Sequence, residues 1–167
     1  YTLSLHDALP ICTEMVKDIN PGSGNGISNI SINSNFGKLG NILVFSANDS
    51  TYGAELWKTD GTEAGTTILK DIESNNSLGA FFGSNPTYFT LFNGKLYFSA
   101  YRTVDGRELW VTDGTTNGTQ LVKDLATGDG YPKDFVVWNG ALYFNAYATN
   151  ESYTLWKTDG TANGTNT

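Results

Sequence analysis

A chain of 167 residues with a formal net charge of −7, 16% charged residues and 19 glycines has room for one domain with a real core. Ten Lys and Arg against 17 Asp and Glu, scattered rather than clustered, exclude the basic surface that phosphate binding needs, so no nucleic-acid partner is expected. No apolar run is long enough for a membrane-spanning helix, and a single cysteine excludes an internal disulfide framework.

The first residues match nothing downstream, and the stretch Ala8-Leu9-Pro10-Ile11 resembles the translation of a sequencing-adapter end. Residues 1–12 are therefore read as a non-native lead-in and set aside, and with them His6 and Cys12. From residue 13 the chain repeats itself. Lys17-Asp18 returns as Lys70-Asp71 and Lys123-Asp124, 53 residues apart each time. Trp57 and Trp110 keep the same spacing, whereas Trp156 follows after only 46, so the third unit is shorter by seven. Segment 13–19 reads as the fourth strand of a preceding unit, and blades follow at about 27–72, 81–125 and 133–167. A period near fifty suits a propeller blade.

Each unit carries four strand-like runs. In the second, Tyr88 to Phe92 ends at Asn93-Gly94, a pair that accepts positive φ at both central positions of a two-residue hairpin. Lys95 to Ala100, Arg107 to Thr112 and Thr119 to Leu125 follow, separated by turns at Val104-Asp105-Gly106 and at Asp113-Gly114 to Asn117-Gly118. Leu96, Phe98 and Ala100 fall on one face and Tyr97 on the other, just as Trp110 opposes Leu109. A sheet packed on one side alternates apolar with polar residues; here both faces are apolar. The expected fold is therefore all-β, a β-propeller-like array of four-stranded antiparallel blades and part of a larger ring. The Lys-Asp pair on the fourth run reads as a charged outer edge that discourages foreign strands. Faces that would meet further blades should be exposed and favour self-association.

The phrase Glu55-Leu56-Trp57-Lys58-Thr59-Asp60-Gly61-Thr62, repeated as Glu108 to Thr115 and, with Tyr153-Thr154 in place of Arg107-Glu108, as Thr154 to Thr161, resembles the ELWxxDGT repeat of large bacterial secreted or surface proteins. That resemblance covers residues 13–167. It implies a propeller-like fold and an extracellular or cell-surface setting, and brings no catalytic residues with it.

Chemistry is sparse in the sequence. Asp60, Asp113 and Asp159 stand in Gly-containing loops of the kind that bind calcium, but no Asp-x-Asp-x-Asp spacing or bidentate Glu accompanies them. They read as side chains holding their own turns, with no metal and no cofactor expected. Trp57, Trp110 and Trp156 recur once per unit and read as core. Asp105 and Glu108 read as solvated surface charge, so no enzyme activity is expected. Strand direction puts the Asn-Gly and Asp-Gly-Thr turns at one end of each unit, where the sequence hardly varies. The variable connections share the other end, and Tyr52, Tyr101, Arg102, Tyr131, Tyr147 and Tyr153 are the expected anchors for a protein or glycan. The expected function is an extracellular binding or scaffold module, with a polysaccharide-acting enzyme lacking its catalytic blades and a structural spacer as alternatives.

Overall fold

The computed structural model describes residues 13–22, 24–27, 36–74, 83–148 and 152–167. The lead-in 1–12 and parts of the long connections after Asn20, Glu73 and Ala148 lie outside them. Within the described residues every regular element is a strand, arranged as three antiparallel sheets in chain order. The first sheet is β1 (Phe36–Leu39), β2 (Ile42–Asn48), β3 (Ala54–Thr59) and β4 (Thr67–Lys70). The second is β5 (Thr87–Phe92), β6 (Lys95–Arg102), β7 (Gly106–Thr112) and β8 (Gln120–Lys123). The third holds β9 (Lys133–Trp138), β10 (Ala141–Tyr147) and β11 (Tyr153–Thr158).

Turn chemistry explains the hairpins. Asn93 (φ 48°) with Gly94 (φ 74°), and Asn139 (φ 47°) with Gly140 (φ 77°), place both central residues in the left-handed region that a tight hairpin requires. Alternation then sends the two sides of each sheet to different neighbours. Leu96, Phe98 and Trp110 of the second sheet pack with Val44 and Leu56 of the first. From its opposite side, Tyr97 and Leu109 pack with Leu142, Phe144 and Trp156 of the third. The middle sheet is thus buried on both faces, the arrangement that the two-faced apolar pattern required. Successive sheets touch through their first strands, β1 on β5 and β5 on β9. At Gly37 in β1 a Cβ would stand 2.7 Å from Leu96 Cδ1, so this close approach needs glycine.

Three features differ from the sequence expectation. The third sheet has three strands rather than four; beyond β11 there is a single bridge between Lys157 and Asn166. Segment 13–18 forms no strand, because no ladder partner stands beside it. The lysines of the Lys-Asp pairs do more than guard an edge. Lys70 Nζ donates to Thr119 O (2.9 Å) and Thr116 O (3.4 Å) of the second sheet's last turn. Lys123 Nζ donates likewise to Thr165 O (2.8 Å) and Ala162 O (3.4 Å) of the third. Lys17 Nζ donates to Thr66 O (2.9 Å) of the first. Each lysine crosses from one unit to a conserved-geometry turn in the next, at the same register.

Candidate functional site

The two ends of the sheets are built differently. At the end formed by the Asp-Gly-Thr turns, Asp60 Oδ1 accepts from Thr62 N (2.9 Å) and Thr62 Oγ1 (2.7 Å). Asp113 does the same with Thr115, and Asp159 with Thr161. These hydroxyl and amide donors hold all three carboxyls below the usual range. A threonine pair closes each turn: Thr59 with Thr66, Thr112 with Thr119 and Thr158 with Thr165, every Oγ1 pair 2.7 Å apart. The second glycine of the phrase is explained by crowding, since a Cβ on Gly118 would stand 1.9 Å from Asp113 Oδ1. The aspartates are therefore committed to their own backbone. Among the described residues no group of three metal-ligating side chains occurs.

Glu108 overturns the reading of solvated charge, because it is fully buried, as is its counterpart Glu55 in the first sheet. Glu55 accepts from the backbone N–H of Ile72 (2.9 Å), Glu73 (3.2 Å) and Ser84 (2.7 Å), and from Ser84 Oγ (2.5 Å). Glu108 accepts from Leu125 N and Gly130 N, each at 2.8 Å. Each carboxylate gathers the chain as it leaves one sheet for the next. Asp105, the other half of the supposed pair, faces Arg102 in an ion pair. Burial pushes the Glu55 carboxyl up to about 7 and that of Glu108 to about 8, the hydrogen bonds pulling the other way without cancelling it.

The connections gathered in this way become straps between sheets. Asn85 N donates to Ala54 O (2.8 Å) in the first sheet, and Ser84 O accepts from Tyr101 N (2.8 Å) in the second. One junction later Gly130 and Tyr131 both donate to Arg107 O (3.0 Å), while Gly130 O accepts from Tyr147 N (2.7 Å). Arg107 Nη1 also reaches back to Asn85 O (3.0 Å). So the described parts of these connections, variable in sequence, are pinned backbone.

On that pinned backbone stands an aromatic cluster. Tyr131 meets Tyr147 edge-on with centroids 5.9 Å apart, and Tyr147 meets Tyr153 at 4.2 Å. Lys133 Nζ lies 3.9 Å from the Tyr153 ring centroid, a cation–π contact, and its hydrogen bond with Tyr153 raises the lysine's pKa. The phenol of Tyr131 hydrogen-bonds Asp129, which raises its pKa. Tyr131 and Tyr153 remain more than two-fifths exposed. Asp129 also lines an open cleft of about 690 Å³ between the β6–β7 turn and the strap after β8, together with Tyr101, Asp105, Asp124 and Thr127.

Of the expected anchors, Tyr131, Tyr147 and Tyr153 come together, and Tyr101 borders the adjoining cleft. Arg102 is occupied: it pairs with Asp105 and its guanidinium lies 5.3 Å from the Trp110 ring centroid. Tyr52 lies on the β2–β3 loop of the first sheet, two sheets from the cluster. Lys133 and Asp129 had no signal of their own in the sequence, since only the fold brings them to the tyrosines. Trp57, Trp110 and Trp156 are buried and lie outside this surface. Comparison with protein-family models, curated proteins and solved structures gives no match.

Proposed function

We propose that this chain is part of an extracellular, repeat-based binding module, similar to bacterial ELWxxDGT-repeat surface proteins, whose propeller-like blades present one end to a neutral glycan. The observation that carries the reading is the Tyr131–Tyr147–Tyr153 cluster beside a cleft lined by carboxylates. Tyrosine rings cover the apolar faces of sugar rings, and Asp105, Asp124 and Asp129 supply acceptors for hydroxyl groups. A binding role fits better than a catalytic one. Carboxyls with pKa values near neutrality ordinarily flag an active site, but those of Glu55 and Glu108 are fully buried and spent on backbone amides.

Calorimetric titration with cellohexaose, maltohexaose and chitohexaose tests this. Tyr131→Ala with Tyr153→Ala should weaken binding roughly tenfold or more, the cost of losing aromatic contacts of about 1–2 kcal/mol. Glu63→Ala with Asn117→Ala, at the exposed Asp-Gly-Thr end, should leave it unchanged. Loss confined to the second variant would put the binding face at the wrong end. Absence of binding to all three sugars would count against a glycan and point to a protein partner.

A further inference from the structure

Two tyrosines stand where the backbone calls for a different residue. Asn85 (φ 45°) and Tyr131 (φ 47°) occupy matching positions in the straps that enter the second and third sheets, and each precedes a proline. Asn85 donates its N–H to Ala54 O (2.8 Å) and Tyr131 donates to Arg107 O (3.0 Å), so the strap geometry is the same at both junctions. Three residues on, Tyr88 (φ 62°) and Asp134 (φ 58°) form a second matched pair. There the first strand of each sheet holds one residue more than its partner strand, between Thr87 and Thr90 in β5 and between Lys133 and Val136 in β9. A bulge of this kind re-aims a side chain.

Asn and Asp tolerate left-handed backbone, whereas a bulky aromatic there is strained, and a following proline favours extended backbone instead. Both units need a left-handed residue at both positions. Each fills one position with a suitable residue and the other with tyrosine. Local contacts do not account for that choice. Asp134 accepts from Asn145 Nδ2 (3.2 Å), but the half-buried Tyr88 side chain has no hydrogen bond and no ring contact among the described residues. Tyr131 is 43% exposed and meets Tyr147 only edge-on. Both phenols act electrostatically on the Arg107 guanidinium, and that of Tyr88 acts on Lys133 as well. The two tyrosines therefore lie by Arg107 at the same end of the sheets.

We propose that Tyr88 and Tyr131 are ligand-contacting residues kept at left-handed positions at the expense of fold stability, and that the binding surface extends from the Tyr131–Tyr147–Tyr153 cluster across the junction of the second and third sheets to Tyr88. Strained backbone outside glycine gathers at ligand clamps, and residues that serve binding are often ones without which the fold would be more stable. The repeat supplies its own reference for both positions, since Asn85 and Asp134 show which residues the same backbone takes without strain. This inference rests on the reading of this end as a glycan-binding surface, and it adds a residue that the tyrosine cluster alone leaves out.

Thermal unfolding and calorimetric titration with cellohexaose, maltohexaose and chitohexaose test it on Tyr88→Asn, Tyr88→Ala, Tyr131→Asn and Tyr131→Ala. Both substitutions remove the ring, but only asparagine suits the left-handed backbone. Each Asn variant should melt about 2–4 °C above the unmodified chain and above the matching Ala variant. All four should bind the preferred hexasaccharide about threefold to tenfold more weakly, the worth of one aromatic contact. Asn variants that melt below the unmodified chain would overturn the inference, because the rings would then be held for packing. So would a Tyr88→Asn chain that binds as tightly as the unmodified one. Absence of sugar binding by the unmodified chain would overturn the glycan reading by itself, and the melting order would then decide whether the two tyrosines are held against the fold's stability.

Discussion

Replacing Glu55 by alanine should cost about 4 kcal/mol of stability. The change strips the acceptor from three buried backbone amides and from the Ser84 hydroxyl at once. A single buried group left unpaired costs about 1–3 kcal/mol, and the groups share one carboxylate, so the costs do not simply add. Against a typical domain stability of about 5–15 kcal/mol this is a large fraction. Glu108→Ala should cost less, since it serves two amides and Gly130 N also donates to Arg107 O. Urea unfolding of the three proteins checks the order. The same carboxyls give stability a pH dependence of definite sign. Their folded values stand above the ordinary 4.5, at about 7 and about 8, so the folded state holds protons that the unfolded chain releases. Stability from this source is complete below about pH 4.5, declines as pH rises, and levels off beyond about 8. Asp71, also raised by burial, acts in the same direction. The turn aspartates, held low, lose their contribution only at more acid pH. Urea midpoints should therefore fall from pH 5 to 8.5, and Glu55→Gln with Glu108→Gln should flatten the decline.

Trp110→Ala should cost roughly 3–5 kcal/mol, the usual loss for deleting a large buried aromatic. The indole is 3% exposed and lies in the core shared by the first two sheets, so the cavity would open at a junction rather than inside one sheet. Among the described residues its buried Nε1–H finds no acceptor, and neither do those of Trp57 and Trp156. Trp110→Phe therefore sacrifices no hydrogen bond and should cost well under half as much as alanine. Guanidinium unfolding of the two variants measures the difference. Near-equal losses would mean that the nitrogen has a partner on which the core depends.

The parts of the fold that the sequence displays are those fixed by neighbours along the chain. Asn93-Gly94 and Asn139-Gly140 announce their hairpins because both residues must take positive φ. The opposition of Leu109 and Trp110 announces two buried faces because the strand period is two. Glu108 was misread for the converse reason: its partners are backbone amides 17 and 22 residues away, and an amide leaves no mark on residue identity. A sign was nevertheless present, since the glutamate directly precedes Leu-Trp in two units and gives way to Thr154 in the third. The lysines misled similarly, their acceptors being carbonyls in the next unit. Tyr131, Tyr147 and Tyr153 were each legible as exposed aromatics, but their contact depends on how the strap after β8 crosses to β10, which only tertiary structure supplies.

Buried glutamates turn the described parts of the inter-sheet connections into structural straps. Native-state amide hydrogen exchange tests it most directly. The N–H groups of Ile72, Ser84, Leu125 and Gly130 should exchange as slowly as those within β3 and β7, and Glu55→Ala should release Ile72 and Ser84 while leaving Leu125 and Gly130 protected. Exchange of all four at the rate of open loops in the unmodified chain would contradict the account.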